Sequence, residues 1–184
     1  MKLKILSKPV LVILINFLII FNACGQQPDS KAYPVEIKIY SAEKGAYKMS
    51  KTVIKTEGEW RKILTKEQFR ILRQKGTEKA YDNEYWNNHE RGIYICAGCS
   101  LDLFKSEDKY ESNTGWPSFT APIAMENIRT QSDNSLFMQR TEVVCARCGG
   151  HLGHVFNDGP KPTGLRYCMN SGAMKFEPVK NKPE

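Results

Sequence analysis

The chain has no basic run interleaved with aromatic residues, no internal repeat, and no apolar run longer than the 13 residues from Pro9 to Phe21. The first absence argues against a nucleic-acid partner. The second excludes stacked-repeat architectures, and the third leaves the run too short for an ordinary transmembrane helix across a hydrocarbon core of ~30 Å. At 184 residues and 41% hydrophobic content there is material for one good core with appendages and little room for a second domain. The formal charge of +7 is partly local: without the first 23 residues and their three lysines, 24 basic face 20 acidic side chains, or +4. Those charges are mixed in sign along the chain, which reads as a solvated surface.

Lys2, Lys4 and Lys8, the apolar run and Asn22-Ala23 make residues 1–23 a secretory signal by layout. Ala23 before Cys24 resembles the lipobox of bacterial lipoproteins, in which the cysteine is lipidated and becomes the mature N-terminus. Phe21 and Asn22 stand where that motif usually has an aliphatic and a small residue. An uncleaved anchor and a cleaved soluble precursor are the alternatives, and all three export the chain. The expected location is a lipid-anchored one in the bacterial cell envelope, on the periplasmic side of a Gram-negative cell. Residues 25–32, GQQPDSKA, read as a polar tether. Val35, Ile37 and Ile39 then alternate with Glu36, Lys38 and Tyr40 before a Glu-Lys-Gly turn signal, which predicts a two-stranded ribbon within residues 24–55.

The body spans residues 56–178, with a polar tail at 179–184. In its first part, Thr65 with Gln68 three residues on forms a capping-box pattern and Gly76 supplies a stop, so one helical segment is expected, with Ile63, Phe69 and Leu72 as its core stripe. After Gly92 the pattern changes to short apolar runs separated by Gly, Pro, Asn and Asp, an antiparallel β-rich texture. The fold class is therefore mainly β, with a short helical segment before it.

Four cysteines fall in two CxxC pairs, Cys96/Cys99 and Cys145/Cys148, each delivered by an apolar strand into a tight turn. Two such knuckles supply four thiolates for a tetrahedral Zn²⁺, a structural site with no open position. The 45 residues between Cys99 and Cys145 would make it a clip between distant strands. The competing reading is a redox CxxC, in a compartment where disulfides persist. Cys168, in RYCMNS, has no such partner. Strand alternation would put Arg166, Cys168 and Asn170 on one face and Leu165, Tyr167 and Met169 on the other. A guanidinium beside the thiol would favour thiolate. In GGHLGHVFNDG the same alternation would group His154, Phe156 and Asp158, with the carboxylate fixing the imidazole tautomer. Trp116, held between Gly115 and Pro117, either lines a pocket or plugs a core.

GTEKAYDNEY, CAGC, GWPSF, CARCGGHLGHVFNDGP and RYCMNS occur in the order of the type B methionine sulfoxide reductases, and the resemblance runs from about residue 58 to about residue 178. It implies two antiparallel sheets, zinc on Cys96, Cys99, Cys145 and Cys148, and Cys168 as nucleophile. It further implies His151, His154, Asp158, Arg166 and Asn170 as the polar site and Trp116 with Phe156 around the substrate methyl group. Oxidised proteins or peptides would be the substrates and a thioredoxin-like or other thiol the reductant, for a chain expected to be monomeric. Many members of that family carry a resolving cysteine where this chain has Thr114, so Cys168 would need an external thiol. Two other classes stay open at this stage: a zinc-stabilised module that binds oxidised or apolar segments without turning them over, and a cysteine hydrolase built on Cys168, His154 and Asn170.

Overall fold

The computed structural model describes residues 33–135 and 139–179; the expected signal segment, Cys24, most of the tether and the end of the tail lie outside these. Among the described residues no helix is long and apolar enough to cross a membrane. Strands β1 (Glu36–Ser41) and β2 (Ala46–Lys51) pair antiparallel as the predicted ribbon, turned at Gly45 with φ of 59°. Ile39 anchors the ribbon in the core, and the Asn127 amide holds its edge by accepting from Tyr40 N at 2.7 Å and donating to Tyr40 O at 2.9 Å.

The expected helical segment is two helices, α1 (Glu57–Ile63) and α2 (Lys66–Gln74). Each begins with its own reciprocal capping box, Thr56 with Glu59 and Thr65 with Gln68. Two such starts nine residues apart cannot share one helix, because each cap residue is extended; Leu64 between them, at ψ of 147°, is extended too. The break turns Ile63 out to 54% exposure and buries Leu64 beside Trp60, Phe69, Ile71 and Leu72. Termination also differs from expectation: Lys75, not Gly76, takes the left-handed conformation at φ of 56°.

Two antiparallel sheets form the body. The smaller, ordered β11-β3-β4, contains β3 (Gly92–Cys96), β4 (Asp102–Lys105) and β11 (Met174–Pro178). The larger contains β5 (Lys109–Tyr110), β6 (Ser118–Phe119), β7 (Ile128–Asp133), β8 (Arg140–Cys145), β9 (His151–Phe156) and β10 (Arg166–Met169), ordered β5-β6-β10-β9-β8-β7. Their inner faces meet through aromatic rings: Phe104 stacks on Phe119 at 4.4 Å, Tyr94 meets Phe119 edge-on at 5.1 Å, and Phe104 lies 6.0 Å from Tyr167. Full burial of each such ring contributes ~1.5–3 kcal/mol. This apolar face holds the larger sheet rigid and leaves its opposite face for polar side chains.

Candidate active site and metal centre

Register builds the site. In the larger sheet Tyr110 pairs with Ser118, Ser118 with Cys168, Cys168 with His154, His154 with Glu142, and Glu142 with Gln131. Directly paired residues share a face with Cβ atoms ~4.5–5.5 Å apart, so one polar row crosses all six strands with the thiol in it. Tyr167 and Met169 point the other way into the core, at 3% and 1% exposure. Gly153 is required beside this row, since a Cβ there would run into the Cys168 carbonyl oxygen.

Cys168 lines a pocket of about 120 Å³ with Trp116, His154, Phe156, Asn170, Thr77 and Arg140. A larger cleft of about 970 Å³ under the ribbon contains neither cysteine nor histidine. Trp116 is fixed by donating Nε1–H to Glu78 O at 3.1 Å. Phe156 is backed by the Arg166 guanidinium, 4.4 Å above its ring. The pocket thus has two aromatic walls and a floor of sulfur and imidazole.

Asp158 is not the carboxylate of His154. It lies beyond the end of β9, where alternation no longer applies, and receives two 2.8 Å hydrogen bonds from Arg166. The bond from Arg166 holds the Asp158 carboxyl below its usual range. His154 instead meets Asp133 through Nε2 at 2.7 Å. Asp133 also accepts from Ser135 N at 3.0 Å and from Arg140 Nη2 at 2.8 Å. Hydrogen bonds from Ser135, then from His154, drive its pKa well down, so it is held as a carboxylate. His151, 2% exposed, pairs through Nδ1 with the buried Glu142 at 2.7 Å. Burial lowers the His151 pKa against the opposing pull of Glu142. Burial alone would raise Glu142, but hydrogen bonds from Lys75, Gln131 and His151 hold it low. Asn170 accepts from Glu78 N and donates to Leu152 O, so its amide ties the end of the nucleophile strand to the loop before Tyr85. The Glu78 carboxylate, in turn, accepts from the backbone N–H groups of Ser171 and Gly172.

Asp133, Glu142, Glu78 and Arg140 are the site residues that sequence reading missed. Glu142 was accessible in part, since alternation along β8 sets it on the face away from Val143, but only the register between β8 and β9 puts it opposite His154. Asp133 was not, because β7 is exposed over Arg129–Ser132 and offers no apolar alternation from which to read a face.

The expected thiolate is also corrected. Burial pushes the Cys168 thiol up, and that effect outweighs Arg166, whose charge is already paired with Asp158. Thr114 Oγ1 stands 4.0 Å from the sulfur. Alkylation of Cys168 by iodoacetamide in the free protein is therefore expected to be slow at neutral pH. It should rise about tenfold per pH unit to beyond pH ~8.5, the ordinary thiol value. A fast rate that is flat from pH 6 upward would mean a stabilised thiolate instead.

The two CxxC knuckles are alike in backbone. Cys96 O accepts from Ser100 N at 2.8 Å and Cys145 O from Gly149 N at 2.9 Å, with Ser100 and Gly149 both left-handed. Their four sulfurs lie within 4.8 Å of one another. Two contacts cross between knuckles, Cys96 to Cys148 at 3.7 Å and Cys99 to Cys145 at 3.5 Å. A tetrahedron with metal–sulfur bonds of ~2.3 Å has sulfur–sulfur edges of about 3.8 Å. The set therefore fits a thiolate-bound tetrahedral ion. Arg73 and Arg147 donate to the carbonyls of Cys148 and Cys99 at 3.0 and 3.1 Å, bringing positive charge to the cluster.

Comparison with known proteins gives the same picture. The family model for the SelR domain matches residues 64–178. A peptide methionine sulfoxide reductase MsrB of Leptospira interrogans is 54% identical over 70% of this chain and 98% of its own length. Proteins of the same name from Methanosarcina barkeri and Thiobacillus denitrificans are 54% and 51% identical over 69% and 71% of this chain, and 89% and 98% of their own lengths. The chain belongs to the SelR-domain family, that of the type B methionine sulfoxide reductases.

Proposed function

We propose that this chain reduces methionine-R-sulfoxide in proteins or peptides to methionine, with Cys168 as nucleophile. The observation that carries the mechanism is the pairing of Cys168 with His154 on the floor of a pocket walled by Trp116 and Phe156. Methionine sulfoxide presents an apolar S-methyl group and a polar S=O on one sulfur. The aromatic walls suit the methyl group and His154 suits the oxygen, so the choice of epimer follows from which side each must occupy.

The proton balance suits a thiol that rests protonated. Cys168 gives up its proton as its sulfur attacks the substrate sulfur, and His154 passes one proton to the sulfoxide oxygen. The substrate S–O bond breaks, a Cys168 S–O bond forms, and methionine leaves a sulfenic acid behind. Asp133 orients His154 by holding Nε2, while Glu142 and Lys75 hold His151 behind it. Cys96, Cys99, Cys145 and Cys148 would hold Zn²⁺, which cross-links the two sheets and takes no part in the chemistry.

Single-turnover reduction of the separate epimers of a methionine sulfoxide peptide tests this reading. We expect one methionine per Cys168 from the R epimer alone, a trappable sulfenic acid at Cys168, and no product from Cys168→Ser. No methionine from either epimer, with the fold intact, would leave a binding module. The thiol reductant is external, the working form is a monomer, and the substrates are oxidised envelope proteins. That location rests on the signal and lipobox reading, which falls outside the described residues. It predicts a diacylglyceryl adduct on Cys24 in the mass of the mature N-terminal peptide; an unmodified Cys24 on the membrane-fraction protein would remove the lipid anchor.

A further inference from the structure

Cys168 has a second side. In the cross-sheet row Cys168 stands between His154 and Ser118, and on the Ser118 side, around the next residue of the row, Tyr110, lies a groove of about 460 Å³ whose lining includes Tyr110, Ser112, Thr114, Asp158, Pro160 and Arg166; it shares no residue with the pocket that holds Trp116 and His154. Thr114 belongs to this groove and stands 4.0 Å from Cys168 Sγ. Its hydroxyl joins a short chain with Ser112 at 2.8 Å, and Ser112 reaches the fully buried Ser118 at 2.7 Å. Tyr110 lies in the same cross-sheet row as Ser118 and Cys168, and its buried hydroxyl has no hydrogen-bond partner among the described residues. An unpaired buried phenol is costly unless something arrives to accept from it.

Chemistry gives this second side a use. Displacement at a divalent sulfur runs in line, with the incoming nucleophile roughly opposite the leaving group. In the reaction proposed above, the oxygen taken from the substrate lies on the His154 side of Cys168. A thiol that removes it must then come from the Thr114 side.

We propose that the Tyr110–Ser112–Thr114 groove is the entrance for the thiol reductant, separate from the pocket that takes the sulfoxide. The incoming thiolate sulfur bonds to Cys168 sulfur, the S–O bond breaks, and the oxygen leaves as water with a proton from His154. A second thiol then displaces the mixed disulfide, so that two thiols become one disulfide and Cys168 returns to the thiol. Tyr110 donates to the incoming sulfur. The groove is sized for a low-molecular-weight thiol; an exposed cysteine of a reductant protein offers the same sulfur from outside.

The inference rests on the sulfenic acid of the proposed function, so the two steps are measured separately in the full chain. Cys168 is first oxidised by one equivalent of sulfoxide peptide, and decay of the sulfenic acid is then followed with dithiothreitol, glutathione or a reduced CxxC protein. Tyr110→Phe, which keeps the ring and its packing, should slow this decay about tenfold while the methionine burst stays within about twofold of wild type. Thr114→Trp should slow it more than a hundredfold with the small thiols, and equal slowing with the CxxC protein would assign that source the same path. In the wild type, saturating methionine should leave the decay rate unchanged. Competition by methionine, or parallel loss of burst and decay in Tyr110→Phe, would place the thiol in the substrate pocket and overturn the proposal; so would a decay rate unaffected by both substitutions. Should no burst occur, the proposed function fails on its own, and Cys168 oxidised with one equivalent of hydrogen peroxide carries the same decay measurement.

Discussion

Cys145→Ser is expected to weaken binding of the proposed Zn²⁺ by about a hundredfold or more and to lower the melting temperature by about 10 °C, whatever happens to the active site. Structural thiolate sites bind Zn²⁺ with an apparent free energy of about 10–16 kcal/mol in small peptides, so one ligand in four carries about 2.5–4 kcal/mol. For a chain of this size each kcal/mol moves the midpoint by about 2–4 °C. The loss should be mechanical as well as thermodynamic. Cys96 ends β3 in the smaller sheet and Cys145 ends β8 in the larger one, so the cross-knuckle contacts join the sheets at the edge of their shared core. The neighbouring strand β9 begins at His151, three residues after Cys148, and carries His154. Loosening the knuckle should therefore reduce activity together with stability. Metal content by mass spectrometry and unfolding by circular dichroism decide the matter. Wild-type protein that binds no metal, or a variant that keeps its metal and its midpoint, would return the four cysteines to an ordinary core.

That clip was legible in the sequence because each half is local: two residues between cysteines fix a turn, and the turn fixes where both sulfurs point. The helix starts were equally local, yet only one was read. Thr56 with Glu59 makes the same capping pattern as Thr65 with Gln68, and recognising both would have split the segment and exchanged Ile63 for Leu64 in the core. The polar side of the site is different in kind. Cys168, His154 and Glu142 come together through register between three strands, which no single window of sequence contains. Asp133 reaches His154 from the far end of β7, 21 residues earlier in the chain. The nearer Asp158, four residues on, was the natural choice by proximity. The cost of burial at Cys168 was also invisible, since an arginine two residues away can be read from sequence while its prior commitment to Asp158 cannot.

The choice between those two carboxylates carries the second large effect. Asp133→Asn should reduce the rate of the methionine burst about a hundredfold, within the range that general acid–base groups contribute, while peptide binding through Trp116 and Phe156 persists. Asp133 is a positioning residue: it touches no substrate, but its Oδ2 is shared between His154 Nε2 at 2.7 Å and Arg140 Nη2 at 2.8 Å. An amide in its place cannot accept from both with the same charge, so the imidazole loses its fixed orientation. The bound rate should fall while peptide affinity holds, a split that a purely structural defect would not cause. Asp158→Asn should change the same rate by less than about threefold. Its side chain is 61% exposed and its contacts end at Arg166, so solvent screens most of what it contributes. What it can alter is the support of the Phe156 wall, because Arg166 lies against that ring, and the effect should appear as weaker peptide binding with little change in the bound rate. The reverse ranking, a large rate loss at Asp158 and a small one at Asp133, would mean that the loop after β9 rearranges when substrate binds and brings Asp158 to the imidazole.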